Sequence, residues 1–199
     1  MANQGFAIWL TGLPSSGKSS LAAALREELA GLDVGVQILD SDEMRKVLTP
    51  QPTYSHEERD WFYGVMVYIG HLLTDNGANV IFAATANKRC HRAWAREAIE
   101  KFVEVHVKCP LETCMSRDHK GVYAKALAGE ATTVPGLQDP YEPPKSPEVV
   151  VETDNQSPQE CARQIVARLE ELTLLSTLSA CPPPVRTGTG AQAGKRSGK

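Results

Sequence analysis

Apolar positions along this chain alternate between short unbroken runs and stretches that repeat every three or four residues. The runs are FAIWLT (6–11), VGVQILD (34–40), NVIFAATA (79–86), VEVHVKC (103–109) and EVVVET (148–153). Rich in Val and Ile and nearly free of polar alternation, they predict strands buried on both faces. After the first run, Leu21, Leu25 and Leu29 recur at four-residue intervals until Gly31, which predicts a helix closed by a glycine cap. Further helices are predicted over 55–75, 90–102, 111–118 and 158–175, the last opened by Ser157 as N-cap and Pro158 in the first turn. Strands separated by helices predict an α/β fold: a mainly parallel sheet, helices on both faces, and ligand groups at the carboxyl ends of the strands.

Two segments break this rhythm. Residues 119–147, HKGVYAKALAGEATTVPGLQDPYEPPKSP, are too long and too rich in glycine and proline for a plain connection and read as a functional flap. Residues 176–199 lack the apolar content to offset their ordering entropy and read as a disordered, low-complexity tail. The 199 residues therefore predict one folded domain over 1–175. The net charge of −3 sharpens this division: the tail carries Arg186, Lys195, Arg196 and Lys199 and no acid, which leaves about −7 on the rest. An acidic body argues against a nucleic-acid partner. Five cysteines, Cys90, Cys109, Cys114, Cys161 and Cys181, form no C-x-x-C pair, which suits a reducing compartment. The opening MANQGFAIWLTG has no basic stretch before a short apolar run, so neither a leader nor a membrane span is expected and the predicted location is the cytoplasm.

Between the first strand and the first helix lies GLPSSGKSS, residues 12–20, with the spacing G-x-x-x-x-G-K-S. A strand, this loop and a helix make up the P-loop, the phosphate-binding loop of P-loop NTPases. Backbone N–H groups of Gly12, Leu13, Pro14, Ser15, Ser16, Gly17, Lys18, Ser19 and Ser20, less the proline, are expected to cradle the phosphates of ATP, with Gly12 and Gly17 supplying unusual dihedrals. Lys18 is expected to reach the β- and γ-phosphates, Ser19 to ligate Mg2+ through its hydroxyl, and the helix to add its positive end. A magnesium site needs a carboxylate as well, and the third strand ends without one. The second strand ends in LDSDEMR, which brings Asp40 and Asp42 to the mouth of the sheet. That pair suits one carboxylate beside the hydrated metal and one accepting a proton from a hydroxyl substrate; the competing reading is that Ser41 or Asp42 only caps the next helix.

With these residues in view, the chain resembles the adenylylsulfate kinase family over residues 6–172. The resemblance is carried by WLTGLPSSGKSSLA, LDSDEMR, CPLETCMSRDHKGVYAKALAGE and DPYEPPKSPEVVVET. It implies a nucleoside-kinase-like P-loop fold with 119–147 as a lid, and transfer of the γ-phosphate of ATP to the 3'-hydroxyl of adenosine 5'-phosphosulfate in sulfate assimilation. It assigns Asp42 as the base with Lys18 as the second catalytic group, Asp40 and Ser19 to the metal, and Arg45, Tyr54, Arg59 and Lys125, with Asp40, to the acceptor. It places Arg117 and Lys120 at the donor nucleotide, and it implies that the chain pairs as a homodimer. Departures gather on the acceptor side. Phe62, Gly64 and Val65 stand where the family has an asparagine and two arginines, Ala86, Asn87 and Lys88 replace serine, proline and tyrosine, and Thr132 and Val134 replace a lysine and a phenylalanine. Each missing charge-assisted bond removes about 1.5–3 kcal/mol of acceptor affinity unless the basic NKRCHR stretch (87–92) supplies it. Two other functions stay open at this level: a kinase of the same fold acting on another nucleotide or sugar-phosphate hydroxyl, and a regulatory ATP-binding protein without turnover. Of the remaining residues, His71 and His106 read as core or edge positions, and Trp9, Trp61 and Trp94 as packing, with Trp61 and Phe62 near enough to the acceptor side to stack a base.

Overall fold

A computed structural model describes residues 4–175, so the expectation of a disordered tail lies outside the described residues. Five parallel strands form one sheet in the order β2-β3-β1-β4-β5: β1 (Ala7–Thr11), β2 (Val36–Asp40), β3 (Asn79–Ala83), β4 (Phe102–Lys108) and β5 (Val149–Glu152). Helices cover both faces. On one, α1 (Lys18–Ala30) and α7 (Pro158–Glu171) bury Leu21, Leu25 and Leu29 with Ile165 and Leu169 against Ile8, Leu10 and Val105. On the other, α3 (His56–Asp75) and α4 (Arg89–Ala98) bury Phe62, Met66 and Ala95 against Trp9 and Phe82, whose rings stack at 4.6 Å. Three shorter helices, α2 (Ser41–Leu48), α5 (Leu111–Ser116) and α6 (Val122–Leu127), line the carboxyl edge of the sheet. Because β1 is the middle strand, the loop after it opens where connections to the two halves of the sheet diverge, the position that binds ligands in open α/β sheets.

Several sequence expectations need correction. β2 is an edge strand with only Leu39 buried, so its apolar run does not mark burial on both faces. The helix expected to reach 102 stops at Ala98, because Ile99 turns extended (φ −117°) and drops into the core, where Phe102 opens β4. The helix α1 does end on Gly31 as its C-cap, as expected, though with right-handed dihedrals (φ −63°), and the left-handed residue after it is Asp33 (φ 57°). The capping of α7 is as expected: Ser157 and Glu160 exchange bonds in a capping box, with Pro158 at the start. Trp9 packs fully buried and donates from Nε1 to the Ala84 carbonyl (3.2 Å), while Trp61 lies exposed on α3. Among the described residues no helix is long and apolar enough to cross a membrane.

Candidate active site

The loop after β1 is held from three sides. Thr11 Oγ1 donates to the Thr85 carbonyl at 2.7 Å, tying the ends of β1 and β3. Thr153, just past β5, donates from Oγ1 to the Ser16 carbonyl at 2.8 Å. Tyr123 of α6 donates to the Pro14 carbonyl at 3.1 Å, and Leu13 packs with Cys109, Cys114, Tyr123 and Val134 into a small core shared with the 119–147 segment. Gly17 sits at φ 93° as the N-cap of α1 and forms no side-chain cap bond, which leaves first-turn N–H groups free for an anion. The other left-handed residue of the loop is Ser15 (φ 59°), not Gly12. Gly12 is needed for space instead: a Cβ there would collide with the Val107 carbonyl and lie 2.8 Å from Ser16 Oγ.

That Ser16 hydroxyl is buried and has no hydrogen-bond partner among the described residues. A buried hydroxyl without a partner is costly unless a ligand supplies one, and here it belongs to the loop that faces the α1 terminus. Lys18 folds back, donating from Nζ to the carbonyls of Gly12 (3.1 Å) and Leu13 (2.7 Å). Burial pushes its pKa from 10.5 down to about 8, against the pull of Asp42, Cys114 and Asp40 and with Lys120 pushing the same way. The loop is thus furnished with donors and an enclosed cation, the chemistry that takes up phosphate.

Asp40 ends β2 and caps α2: Oδ1 accepts from the Asp42 N–H at 2.8 Å, and Oδ2 accepts from Ser19 Oγ at 2.7 Å. The cap of the helix is therefore Asp40, neither Ser41 nor Asp42. One bond thus joins the two side chains expected at the metal. Both present hard oxygen atoms, which fits Mg2+, and among the described residues no cluster of three or more His, Cys, Asp or Glu could hold a metal alone. Asp42, in the first turn of α2, forms an ion pair with Lys120 of the 119–147 segment. Arg117 caps α5 and donates to the Thr153 carbonyl at 3.0 Å, so it stands beside the loop's support.

On the α2–α3 side, Arg45 is paired with Glu58 (2.7 Å) and lies 3.9 Å over the Phe62 ring and 5.0 Å from the Tyr54 ring. Burial opposes ionisation of Glu58, but bonds from Thr53 and Arg45 outweigh it and hold the carboxyl below its usual range. Tyr54 takes φ 55°, a strained conformation for tyrosine, and leaves its ring exposed. Its carbonyl accepts from Arg59 Nε at 3.1 Å. Arg59 is buried, not on a solvated helix face. Lys125 stands apart: it is exposed on α6, and its ammonium has no partner among the described residues.

The NKRCHR stretch does not supply free charge at this site. Arg92 is buried against Glu104 (2.6 Å) and the carbonyls of Ala86 and Glu142. Lys88 and the buried His91 both hold Asp60, at 2.9 and 2.7 Å. Arg89 donates to the Pro143 carbonyl. Sequence reasoning also passed over residues that shape the site. Thr153 stood at a strand end, where ligand-side groups are expected, but Tyr123 carries no signal in a single sequence.

Comparison with known proteins agrees with this geometry. Residues 4–152 match the family model described as adenylylsulphate kinase. The probable adenylyl-sulfate kinase of Archaeoglobus fulgidus is 45% identical over 149 residues, which cover 75% of this chain and 96% of that protein. A probable bifunctional SAT/APS kinase 2 of Sorangium cellulosum is 43% identical over 168 residues, 84% of this chain, and the match spans only 29% of that longer protein. Among solved structures, the Mycobacterium tuberculosis APS kinase CysC in complex with AMPPNP and APS is similar at a TM-score of 0.79 and 34% identity, over 84% of this chain and 98% of that one. With a strand-loop-helix phosphate cradle, paired aspartates at the next strand end and a family match across most of its length, the chain belongs to the adenylylsulphate kinase family.

Proposed function

We propose that residues 12–20 hold the phosphates of ATP and that the 3'-hydroxyl of adenosine 5'-phosphosulfate meets the γ-phosphate beside Asp42. The activity is the family's: ATP-dependent phosphorylation of adenosine 5'-phosphosulfate, giving 3'-phosphoadenosine 5'-phosphosulfate and ADP. The observation that carries the assignment of residues is the bond from the Ser19 hydroxyl to Asp40 Oδ2 at the end of β2, with the Asp42 carboxylate two residues on, paired with Lys120.

In this reading the loop amides, the Ser16 hydroxyl and Lys18 bind and orient the triphosphate, which is most of what phosphoryl transfer asks of a protein. Ser19 and Asp40 would hold magnesium, which would neutralise phosphate charge when bound. The acceptor's 3'-oxygen forms a bond to the γ-phosphorus as the bond from that phosphorus to the β–γ bridging oxygen breaks. The hydroxyl proton passes to Asp42, and ADP leaves. Lys120, paired with Asp42 across the lid, orients this carboxylate, and Arg117 borders the donor's nucleoside. Arg45, Tyr54 and Arg59 border the acceptor, with Lys125 arriving only on further movement of the lid, residues 119–147. We also propose a homodimer in the cytoplasm; four cysteines left unpaired, Cys90, Cys109, Cys114 and Cys161, support the reducing compartment.

The test is transfer from γ-labelled ATP, with magnesium, to a panel of hydroxyl acceptors. Label on adenosine 5'-phosphosulfate is the expected result. Label on a sugar phosphate or another nucleotide alone would reassign the acceptor, a real contest because Lys88, Arg89 and Arg92 are engaged within the protein and do not replace the family's missing cations.

A further inference from the structure

We propose that Asn87 is a positioning residue for acceptor binding: its amide fastens Arg59 to the returning arm of the 119–147 segment and so sets how the acceptor is enclosed. The inference rests on the reading above that Arg45, Tyr54 and Arg59 border the acceptor. A guanidinium has five N–H groups, and Arg59 uses them in four hydrogen bonds and one longer ion pair within the protein. Nε donates to the Tyr54 carbonyl; Nη2 donates to the carbonyl and the hydroxyl of Thr133; Nη1 faces Asn87 Oδ1 at 3.4 Å and the Asp139 carboxylate at 3.6 Å. Its charge is met by Asp139, itself part of the returning arm. Arg59 therefore works as a clasp in the pocket wall, tied to Tyr54, Thr133, Asn87 and Asp139.

Asn87 is the hinge pin of that clasp. Only 2% exposed, it accepts from Arg59 through Oδ1 while Nδ2 donates to Asp139 Oδ2 (3.0 Å) and to the Pro140 carbonyl (3.3 Å); its own carbonyl accepts from the Glu142 N–H (2.8 Å). No other side chain of similar size does both tasks: an aspartate faces Asp139 with like charge, and an aliphatic residue satisfies neither partner. The backbone is held to suit. Ala86, the residue before it, takes φ 42°, with its N–H donated to Tyr63 Oη (3.0 Å) and its carbonyl taken by the buried Arg92. A left-handed alanine persists only where its surroundings impose it, which marks this corner as one built to aim the next side chain.

Three proteins test this: the parent, Asn87→Asp, and the exchange Asn87→Asp with Asp139→Asn, which swaps amide and carboxylate and keeps the net charge. For Asn87→Asp the expected result is a rise of about tenfold in KM for adenosine 5'-phosphosulfate, with KM for ATP within about twofold, and faster hydrogen exchange across residues 131–142 but not 12–20. The exchange variant is expected to return both readouts to within about threefold of the parent. An unchanged acceptor KM in folded Asn87→Asp, an ATP KM that rises in step, or a swap that restores neither readout would overturn the proposal. If Asn87→Asp does not fold, the swap alone decides, since a folded swap with loosened 131–142 exchange contradicts it. Failure of the parent to label adenosine 5'-phosphosulfate would sink the acceptor assignment instead, and the exchange readout would still judge the clasp.

Discussion

Between pH 7 and pH 9.5 the affinity for ATP should fall by about thirtyfold, and the cause is Lys18. Burial brings its ammonium from 10.5 to about 8 in the free protein. A triphosphate placed against it restores the charged form and carries the bound-state pKa above this range. As pH rises through 8 the free protein releases a proton that the complex keeps. Binding then takes up a proton, and affinity drops about tenfold for each further unit. Folding feels the same shift with a definite sign. Below pH 8 the lysine is charged both folded and unfolded, and the fold bears the cost of enclosing it, at most about 3 kcal/mol at 1.36 kcal/mol per unit. Between the folded value near 8 and the unfolded value near 10.4, the unfolded chain binds more protons, so this cost fades as pH rises. Calorimetric titration with ATP across the range, in two buffers of different ionisation heat, measures both affinity and proton uptake. The phosphate's own ionisation, near pH 6, lies below the window. Lys18→Arg, charged throughout, should flatten the slope. A flat profile in the parent, or an equal slope in Lys18→Arg, would refute the reasoning.

Other perturbations separate the remaining roles. Asp42→Asn should slow transfer by roughly 100-fold or more in single-turnover assays while ATP affinity stays within about threefold. Ser19→Ala and Asp40→Asn should each weaken magnesium by about tenfold in titrations of Mg2+ against the protein with ATP, while Asp40→Asn should leave α2 intact because asparagine caps as well as aspartate. Arg92→Ala should destabilise the fold by about 3–5 kcal/mol in denaturant melts, because it leaves Glu104 without its buried partner and frees the carbonyls of Ala86 and Glu142.

What the sequence made legible was whatever depends on neighbours along the chain. FAIWLT leading into GLPSSGKSS announces a strand, a phosphate loop and a helix together, and the LDSDEMR stretch places two acids at a strand end without any tertiary information. Local capping was legible for α7, where Ser157 and Pro158 act through their own turn, but not for α2, where Asp40 outcompetes Ser41 because its second oxygen is anchored on Ser19 from another element. Distant partners decided what could not be read. Whether NKRCHR faces a ligand depends on Asp60, Glu104 and Glu142, contributed by a helix, a strand and the 119–147 segment, and these take up its charge. The same holds for Gly12, whose smallness answers the Val107 carbonyl on β4 rather than a dihedral of the loop.

The most direct measurement is a crystal structure with an unreactive ATP analogue, Mg2+ and adenosine 5'-phosphosulfate bound together. The account predicts the analogue's phosphates on residues 12–20, the metal against Ser19 and Asp40, and an Asp42 oxygen within hydrogen-bond reach of the acceptor's 3'-hydroxyl. Asp42 turned away from that hydroxyl, with another group in its place, would contradict it.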